Sequence, residues 1–145
     1  MPKGPKMILQ CRPLLIVALL AVAVVQADQG KGKPSFNLRA SPAVAFAPAR
    51  IVVTAELVGG TDDFQDFYCA KVEWSWGDAT TSEATDDCDP YVAGQSQIRR
   101  RYANEHKFEF PGTYDVRITL KQGKKSVGAG TISVRVRDGL AEQIR

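Results

Sequence analysis

The sequence is poor in the residue types that hydrolases and metal sites use most. Its 145 residues contain one histidine, His106, and three cysteines, with no CxxC pair and no G-x-S-x-G segment. Hydrolysis needs a nucleophile with a base, or two opposed carboxylates, held on a rigid scaffold. A structural zinc site needs four suitably spaced ligands. We therefore expect a non-catalytic chain without a required cofactor.

The longest apolar run is too short to anchor the protein permanently in a membrane. Residues 14–25 are twelve positions without a charge, whereas a membrane-spanning helix needs about 20 residues. A basic start precedes the run, and Val25-Gln26-Ala27 places small residues at the −3 and −1 positions of a cleavage site. This pattern predicts a signal peptide over residues 1–27 and a secreted or periplasmic mature chain.

The chain has no net charge once the predicted signal peptide is removed. The 19 basic and 16 acidic residues become sixteen of each, because residues 1–27 contain three basic and no acidic residues. Such a chain is not expected to bind nucleic acid. Residues 62–89 contain nine carboxylates and one lysine, and residues 99–145 contain eleven basic and five acidic groups. These segments either face each other and solvent or form a binding patch.

Two cysteines remain after removal of the signal, Cys69 and Cys88. An even pair in an oxidising compartment predicts a disulfide. The closed loop should stabilise the fold by about 3 kcal/mol on the chain-entropy estimate. A zinc site or a reactive thiol is the alternative, but the chain offers few further ligands.

Alternation of apolar and polar residues predicts an all-β chain. Residues 50–58, 113–121 and 131–137 place apolar side chains at every second position, as half-buried strands do. Residues 36–44 supply an edge strand that Pro42 interrupts. Glycines 128 and 130 predict a bulge or kink before the last strand.

The fold predicted from these runs is an immunoglobulin-like antiparallel β-sandwich of about seven strands. The domain should span residues 36–138, after a flexible leader over residues 28–35 and before a tail over residues 139–145. A further strand over residues 67–76 should point Trp74 into the core and Cys69 outward. The predicted disulfide would then hold a loop against the sheet surface.

Two short segments resemble the signatures of polycystic kidney disease (PKD) domains. Residues 73–80, EWSWGDAT, look like the WDFGDGT-type signature, and residues 106–116, HKFEFPGTYDV, look like the later H-x-Y…G-x-Y-x-V signature. The resemblance covers residues 36–137. It implies a generally non-catalytic extracellular module that contacts proteins or carbohydrates. By position, it implies structural roles for Trp74, Trp76, Gly77, Asp78, His106, Gly112 and Tyr114.

The residue chemistry agrees with these structural roles. Gly77 permits a backbone angle closed to larger residues, and Asp78 can cap the turn. Tyr114 is placed to form a tyrosine corner with upstream backbone. The chain departs from the family pattern at Ser75, Ala79 and Phe108, and residues 83–94 resemble an insertion.

Recognition is expected at the acidic loops. Aromatic and charged groups combine there, as they do in recognition loops, and the candidates are Phe64, Phe67, Tyr68 and Tyr91. The alternative is that Phe64 and Tyr68 only close the end of the sandwich. The partner would be a protein or a polysaccharide of unknown identity.

Calcium binding is the alternative function for these loops. The loops 62–66 and 86–89 lack EF-hand spacing, and the candidate ligands are Asp62, Asp63, Asp66, Asp86, Asp87 and Asp89. The Arg99-Arg100-Arg101 run either attracts an acidic polysaccharide or faces the acidic loops.

Overall fold

The computed structural model describes Gly4 and residues 32–139, and the latter form two packed β-sheets. The predicted signal peptide apart from Gly4, residues 28–31 of the predicted leader and residues 140–145 lie outside the described residues. The strands are β1 (Ser35–Ser41), β2 (Val44–Phe46), β3 (Ala49–Val58), β4 (Lys71–Ser75), β5 (Thr81–Ala84), β6 (Arg101–Phe108), β7 (Gly112–Gln122) and β8 (Lys125–Arg137). One 3₁₀ turn, Gln65–Phe67, precedes β4.

The two sheets have the strand orders β1-β3-β6 and β2-β8-β7-β4-β5. This arrangement is an immunoglobulin-like β-sandwich, which confirms the predicted fold class. The described residues contain eight strands instead of about seven, and β2 pairs with β8 in parallel. Pro42 explains the extra strand, since it has no N–H with which to extend the ladder between β1 and β3. The chain therefore leaves the smaller sheet after Ser41 and joins the larger sheet as β2.

The core lies between the sheets and follows the predicted alternation. Ile51, Val53 and Ala55 of β3 are fully buried, and they face Val116 and Ile118 of β7 in the same apolar cluster. Because successive side chains of a strand point to opposite faces, each of these strands leaves most of its polar residues outside. No described helix is long and apolar enough to cross a membrane.

Two positions differ from the sequence prediction. The strand expected over residues 67–76 begins only at Lys71, because the preceding residues form the 3₁₀ turn. Thr119, expected on the solvent side of β7, is buried, with a relative exposure of 9%. It lies on a central strand between Glu73 of β4 and Ala129 of β8, whose side chains flank it.

The predicted bulge occurs in β8, beside the glycines. Leu120 pairs with Gly128 and Lys121 with Ser126, so Val127 is the extra residue. The glycines themselves serve close packing. A Cβ atom at Gly128 would lie 2.8 Å from the Phe67 ring, and one at Gly130 would lie 2.6 Å from Leu38 Cδ1.

Candidate functional site

The two tryptophans of the PKD-like motif are part of the core. Trp74 and Trp76 have relative exposures of 3% and 0%, and their rings stack at a centroid distance of 5.6 Å. Trp76 Nε1–H donates a hydrogen bond of 2.8 Å to Ser82 Oγ. The Trp76 ring system also stacks on His106, with centroids 4.6 Å apart. The predicted core placement of Trp74 is confirmed.

Asp78 links the turn after β4 to β6 in the other sheet. Its Oδ1 accepts hydrogen bonds from the Thr80 N–H (3.0 Å) and the Thr80 hydroxyl (2.5 Å), and its Oδ2 lies 2.7 Å from His106 Nε2. Asp78 therefore caps the turn, as the sequence predicted. Gly77 and Ala79 have φ angles of 79° and 68°. The turn thus requires a left-handed backbone at the position where Ala79 replaces the family's glycine.

The Asp78 carboxylate is held in its charged form. Partial burial acts to raise its pKa, but hydrogen bonds from Thr80 and His106 outweigh burial and lower the pKa below its ordinary value of 3.8. His106 and Thr80 both form hydrogen bonds with this carboxylate, and the Thr80 Oγ1 and His106 Nε2 atoms lie 3.5 Å apart. The hydroxyl is thus committed to Asp78 and is not activated by the imidazole. The contact between Asp78 and His106 therefore serves to join the two sheets.

The protein should become less stable in acid, because protonation of Asp78 removes the stabilising contact between Asp78 and His106. The folded-state pKa of Asp78 is depressed, so the pair's contribution is present above the ordinary pKa of 3.8 and is lost as the pH falls through the folded-state pKa. We expect Asp78→Asn to lower the free energy of unfolding at pH 6, and this difference from wild type to shrink towards pH 2.5. Urea titrations across this range measure it. Asp87→Asn, at an exposed position, should follow the wild-type curve, and a difference for Asp78→Asn that is constant with pH would contradict the assignment.

Tyr114 forms the predicted tyrosine corner at the same end of the sandwich. Its hydroxyl donates a hydrogen bond of 2.7 Å to the carbonyl of Phe110, four residues upstream. Its ring lies 4.4 Å from that of Phe108, and Gly112 lies against the tyrosine ring. The residues singled out by the PKD-like motifs therefore hold strands and turns together.

The opposite end of the sandwich is formed by two joined loops, residues 62–69 and 85–92, which we call the loop platform. The Cys69–Cys88 disulfide connects them, with Cα atoms 6.1 Å apart, and it confirms the predicted pairing. Cys69 precedes β4 and Cys88 follows β5, so the bridge lies outside the core.

Tyrosines join the two loops of the platform a second time. Tyr68 donates from its hydroxyl to the carbonyl of Asp89 (2.9 Å), and Tyr91 donates to the carbonyl of Asp63 (2.7 Å). Their rings meet edge to face at 5.5 Å. The platform is therefore held by a disulfide and by two reciprocal hydrogen bonds.

Arginines tie the platform to β6. Arg100 pairs with Asp62 at 2.5 Å and also donates to the carbonyls of Leu57, Gly59 and Gly60. Arg99 pairs with Asp86 at 3.3 Å and lies over the ring of Tyr102, where burial raises the pKa of the phenol to about 12. Arg101 pairs with Glu56. The prediction that this basic run faces the acidic loops is confirmed for Arg99 and Arg100, which leaves no single cluster of three free arginines.

The platform carboxylates do not gather around a common point. In residues 32–139, no group of three or more Asp, Glu, His or Cys side chains has metal-binding geometry. Asp62 and Asp86 are instead committed to arginines. A calcium site at these loops therefore has no geometric support, and we do not propose one.

The aromatic recognition candidates differ in accessibility. Phe67 is 1% exposed and belongs to the core, so it is not available to a partner. Phe64 is half-buried and packs edge to face against Phe67 at 5.1 Å, which agrees with the alternative that it closes the end of the sandwich. Tyr68 and Tyr91 remain half-exposed and line a surface cleft.

Two clefts flank Tyr68 on the loop platform, and the sequence did not predict them. One, of about 490 Å³, is lined by Gln65, Asp66, Tyr68, Cys69, Tyr91 and Gln122. The other, of about 420 Å³, is lined by Tyr68, Asp89, Pro90, Val92, Gln95, Ser96 and Gln97. Glutamines from three separate segments meet there, and no local sequence pattern could have signalled this.

The strand topology defines a PKD-like immunoglobulin sandwich. Both segments that resemble the PKD signatures contribute residues to the contact between its two sheets. This sandwich is similar to the PKD domain of an M14-like peptidase from Thermoplasmatales archaeon SCGC AB-540-F20, at 16% identity and a TM-score of 0.49, covering 73% of this chain and 98% of that one. It is also similar to the CARDB domain of the PF1109 protein from Pyrococcus furiosus, solved in complex with di-metal ions. That similarity has 12% identity and a TM-score of 0.44, covering 73% of this chain and 94% of that one. No model of a known family and no curated protein matches the sequence.

Proposed function

We propose that this protein is a non-catalytic, extracytoplasmic interaction module that binds a protein or polysaccharide partner through the loop platform. The observation on which this depends most is that two long loops are held in one conformation by a disulfide and by the Tyr68 and Tyr91 hydrogen bonds. Loops fixed before binding lose little conformational entropy when a partner docks. The predicted signal and the disulfide support an oxidising compartment.

The surface chemistry of the platform also supports recognition. Asp66, Asp87 and Asp89 are exposed, and no ion pair joins them to a basic group in residues 32–139. Beside them lie the tyrosine rings and the glutamines of the two clefts. A flat aromatic ring with amides and carboxylates around it suits sugar rings as well as polar protein surfaces, because it offers both apolar contact and hydrogen bonds.

The motif end is the weaker candidate for recognition. Its polar groups are already paired, because Asp78, Thr80 and His106 bind one another and the Tyr114 hydroxyl binds the Phe110 carbonyl. Few of its hydrogen-bonding groups are left for a ligand. We therefore assign that end a structural role and the platform the binding role.

A pull-down from the producing cell's own secretome, with the mature protein as bait, tests this proposal. We expect wild type and the Glu109→Lys variant to retain the same partner. The Asp89→Lys variant should retain about tenfold less of it, because only Asp89 lies on the platform. Both substitutions change one exposed carboxylate to a lysine, so they alter net charge equally.

The Cys69→Ser/Cys88→Ser variant supplies the second arm of the test. It should remain folded by circular dichroism and lose partner binding, since the platform loops are no longer fixed to each other. Retention of the partner by both platform variants, or loss with Glu109→Lys alone, would place the contact elsewhere.

A further inference from the structure

A second surface, which we call the edge groove, runs along one side of the sandwich. It has a volume of about 420 Å³ and is lined by residues 33–38, residues 128–132 and Phe67. Successive side chains of a strand point to opposite faces, so a cavity lined by consecutive residues lies along the backbone edge. The edge groove therefore lies along the main chains of β1 and β8.

The main chain of β8 has an unpaired edge at this groove. Within residues 32–139, β8 pairs with β7 along one side, but on its other side it pairs only with β2, at Arg135–Arg137. On the opposite wall, β1 pairs with β3 alone. Unpaired N–H and C=O groups at a sheet edge are a template for another extended chain.

Glycines leave this part of β8 without side-chain cover. Gly128 and Gly130 contact Phe67, Phe36 and Leu38 so closely that a Cβ atom would not fit. The floor of the groove is therefore apolar. Gly128 is itself buried, whereas Ala129 and Thr131 are exposed and Gly130 is half-buried, so the accessible part of this edge begins at Ala129. An added strand would find apolar contact on one face and hydrogen-bonding groups along its length.

Every charged side chain of β1, of β8 and of the turn between β7 and β8 is basic, and the first carboxylate after β8 is Asp138. Residues 33–41 and 124–137 contain no carboxylate. The basic residues are exposed, and none forms an ion pair with a carboxylate of residues 32–139: Lys33, Arg39, Lys124, Lys125, Arg135 and Arg137. The carboxylates of residues 62–89 belong instead to the platform, β4, β5 and their turns. Charge complementarity at this edge thus favours an acidic partner.

We propose that the edge groove binds an extended acidic peptide segment of a partner protein, which adds a strand to β8 beside residues 128–132. A peptide fits better than an acidic polysaccharide, because only a polypeptide offers alternating N–H and C=O groups at the spacing of a strand. Its acidic side chains would alternate with small apolar ones that face Phe36 and Leu38. This surface shares only the buried Phe67 with the loop platform, so the inference does not depend on the function proposed there.

The test uses a nine-residue capped peptide of alternating glutamate and valine and the mature protein at low salt. We expect hydrogen exchange to slow by about tenfold in the bound state for the alternate amides of residues 128–132 that point away from β7, because the others already face the β7 ladder. Lys33→Glu/Arg39→Glu should weaken peptide affinity by about tenfold, in line with the loss of exposed charge pairs. The matched control, Arg101→Glu/Lys107→Glu on β6, makes the same change of charge away from the groove and should bind as wild type does.

A second peptide separates strand addition from simple charge attraction. It has the same number of glutamates but proline in place of two valines, so it lacks two N–H donors, and it should bind at least about tenfold more weakly. Equal binding of the two peptides, or no protection of residues 128–132 at millimolar peptide, would overturn the proposal. The proposal would also be wrong if polyglucuronate displaced the peptide and its affinity fell to the same degree in Lys33→Glu/Arg39→Glu. This result would assign the groove to acidic polysaccharide.

Discussion

Replacing Trp76 with alanine is expected to lower the free energy of unfolding by about 3–5 kcal/mol, the range for truncating a large buried aromatic side chain. Trp76 is fully buried, and its ring stacks on both Trp74 and His106. The substitution would leave a cavity between the sheets and remove the hydrogen bond to Ser82. Trp74→Ala should fall in the same range, since Trp74 is 3% exposed.

Denaturant titration followed by circular dichroism measures this loss. Phe110→Ala is the matched control, because Phe110 also belongs to the motif end but is 75% exposed, and it should change the free energy by less than about 0.5 kcal/mol. If Trp76→Ala and Phe110→Ala gave equal losses, the placement of the tryptophans between the sheets would be wrong.

Removing the disulfide is the second change with a large expected effect. Cys69 and Cys88 are 19 residues apart in sequence, and a loop of this size should stabilise the fold by about 3 kcal/mol through the entropy of the unfolded chain. We expect Cys69→Ser/Cys88→Ser to lose about this amount in urea titrations. The native tryptophan fluorescence should be retained, since the bridge lies outside the core that surrounds Trp74 and Trp76.

Reduction provides the control for this second prediction. Dithiothreitol should lower the stability of wild type to that of the double variant and leave the double variant unchanged. A double variant as stable as the oxidised protein would mean that the bridge does not constrain the unfolded chain, and its role in the platform would then need another explanation.

The two ends of the sandwich differ in what their polar groups do. At the motif end, the Asp78 carboxylate and the Tyr114 hydroxyl are bound to groups of the same domain. At the platform, side chains of one loop bind the main chain of the other, which leaves carboxylates and glutamines exposed at the surface. This difference is the physical reason to place recognition at the platform.

Several features of the fold could be predicted because they depend on neighbours along the chain. Alternation in β3 and β7 reports which face is buried, and the left-handed turn at Gly77 depends on its own backbone. The pairing of Cys69 with Cys88 followed from the count of cysteines after the predicted signal. The extra strand β2 was missed, because Pro42 shows where a ladder must end and not which sheet the chain joins next.

The sequence alone determined the sandwich, the orientation of its tryptophans and the disulfide, since periodicity, turn residues and cysteine number are local or countable properties. Only the tertiary structure decided that Phe67 is a core residue, that Arg99 and Arg100 are committed to the acidic loops, and that a basic groove lies between β1 and β8. Each of these depends on segments far apart in the chain, and side-chain chemistry by itself does not specify which distant segments become neighbours.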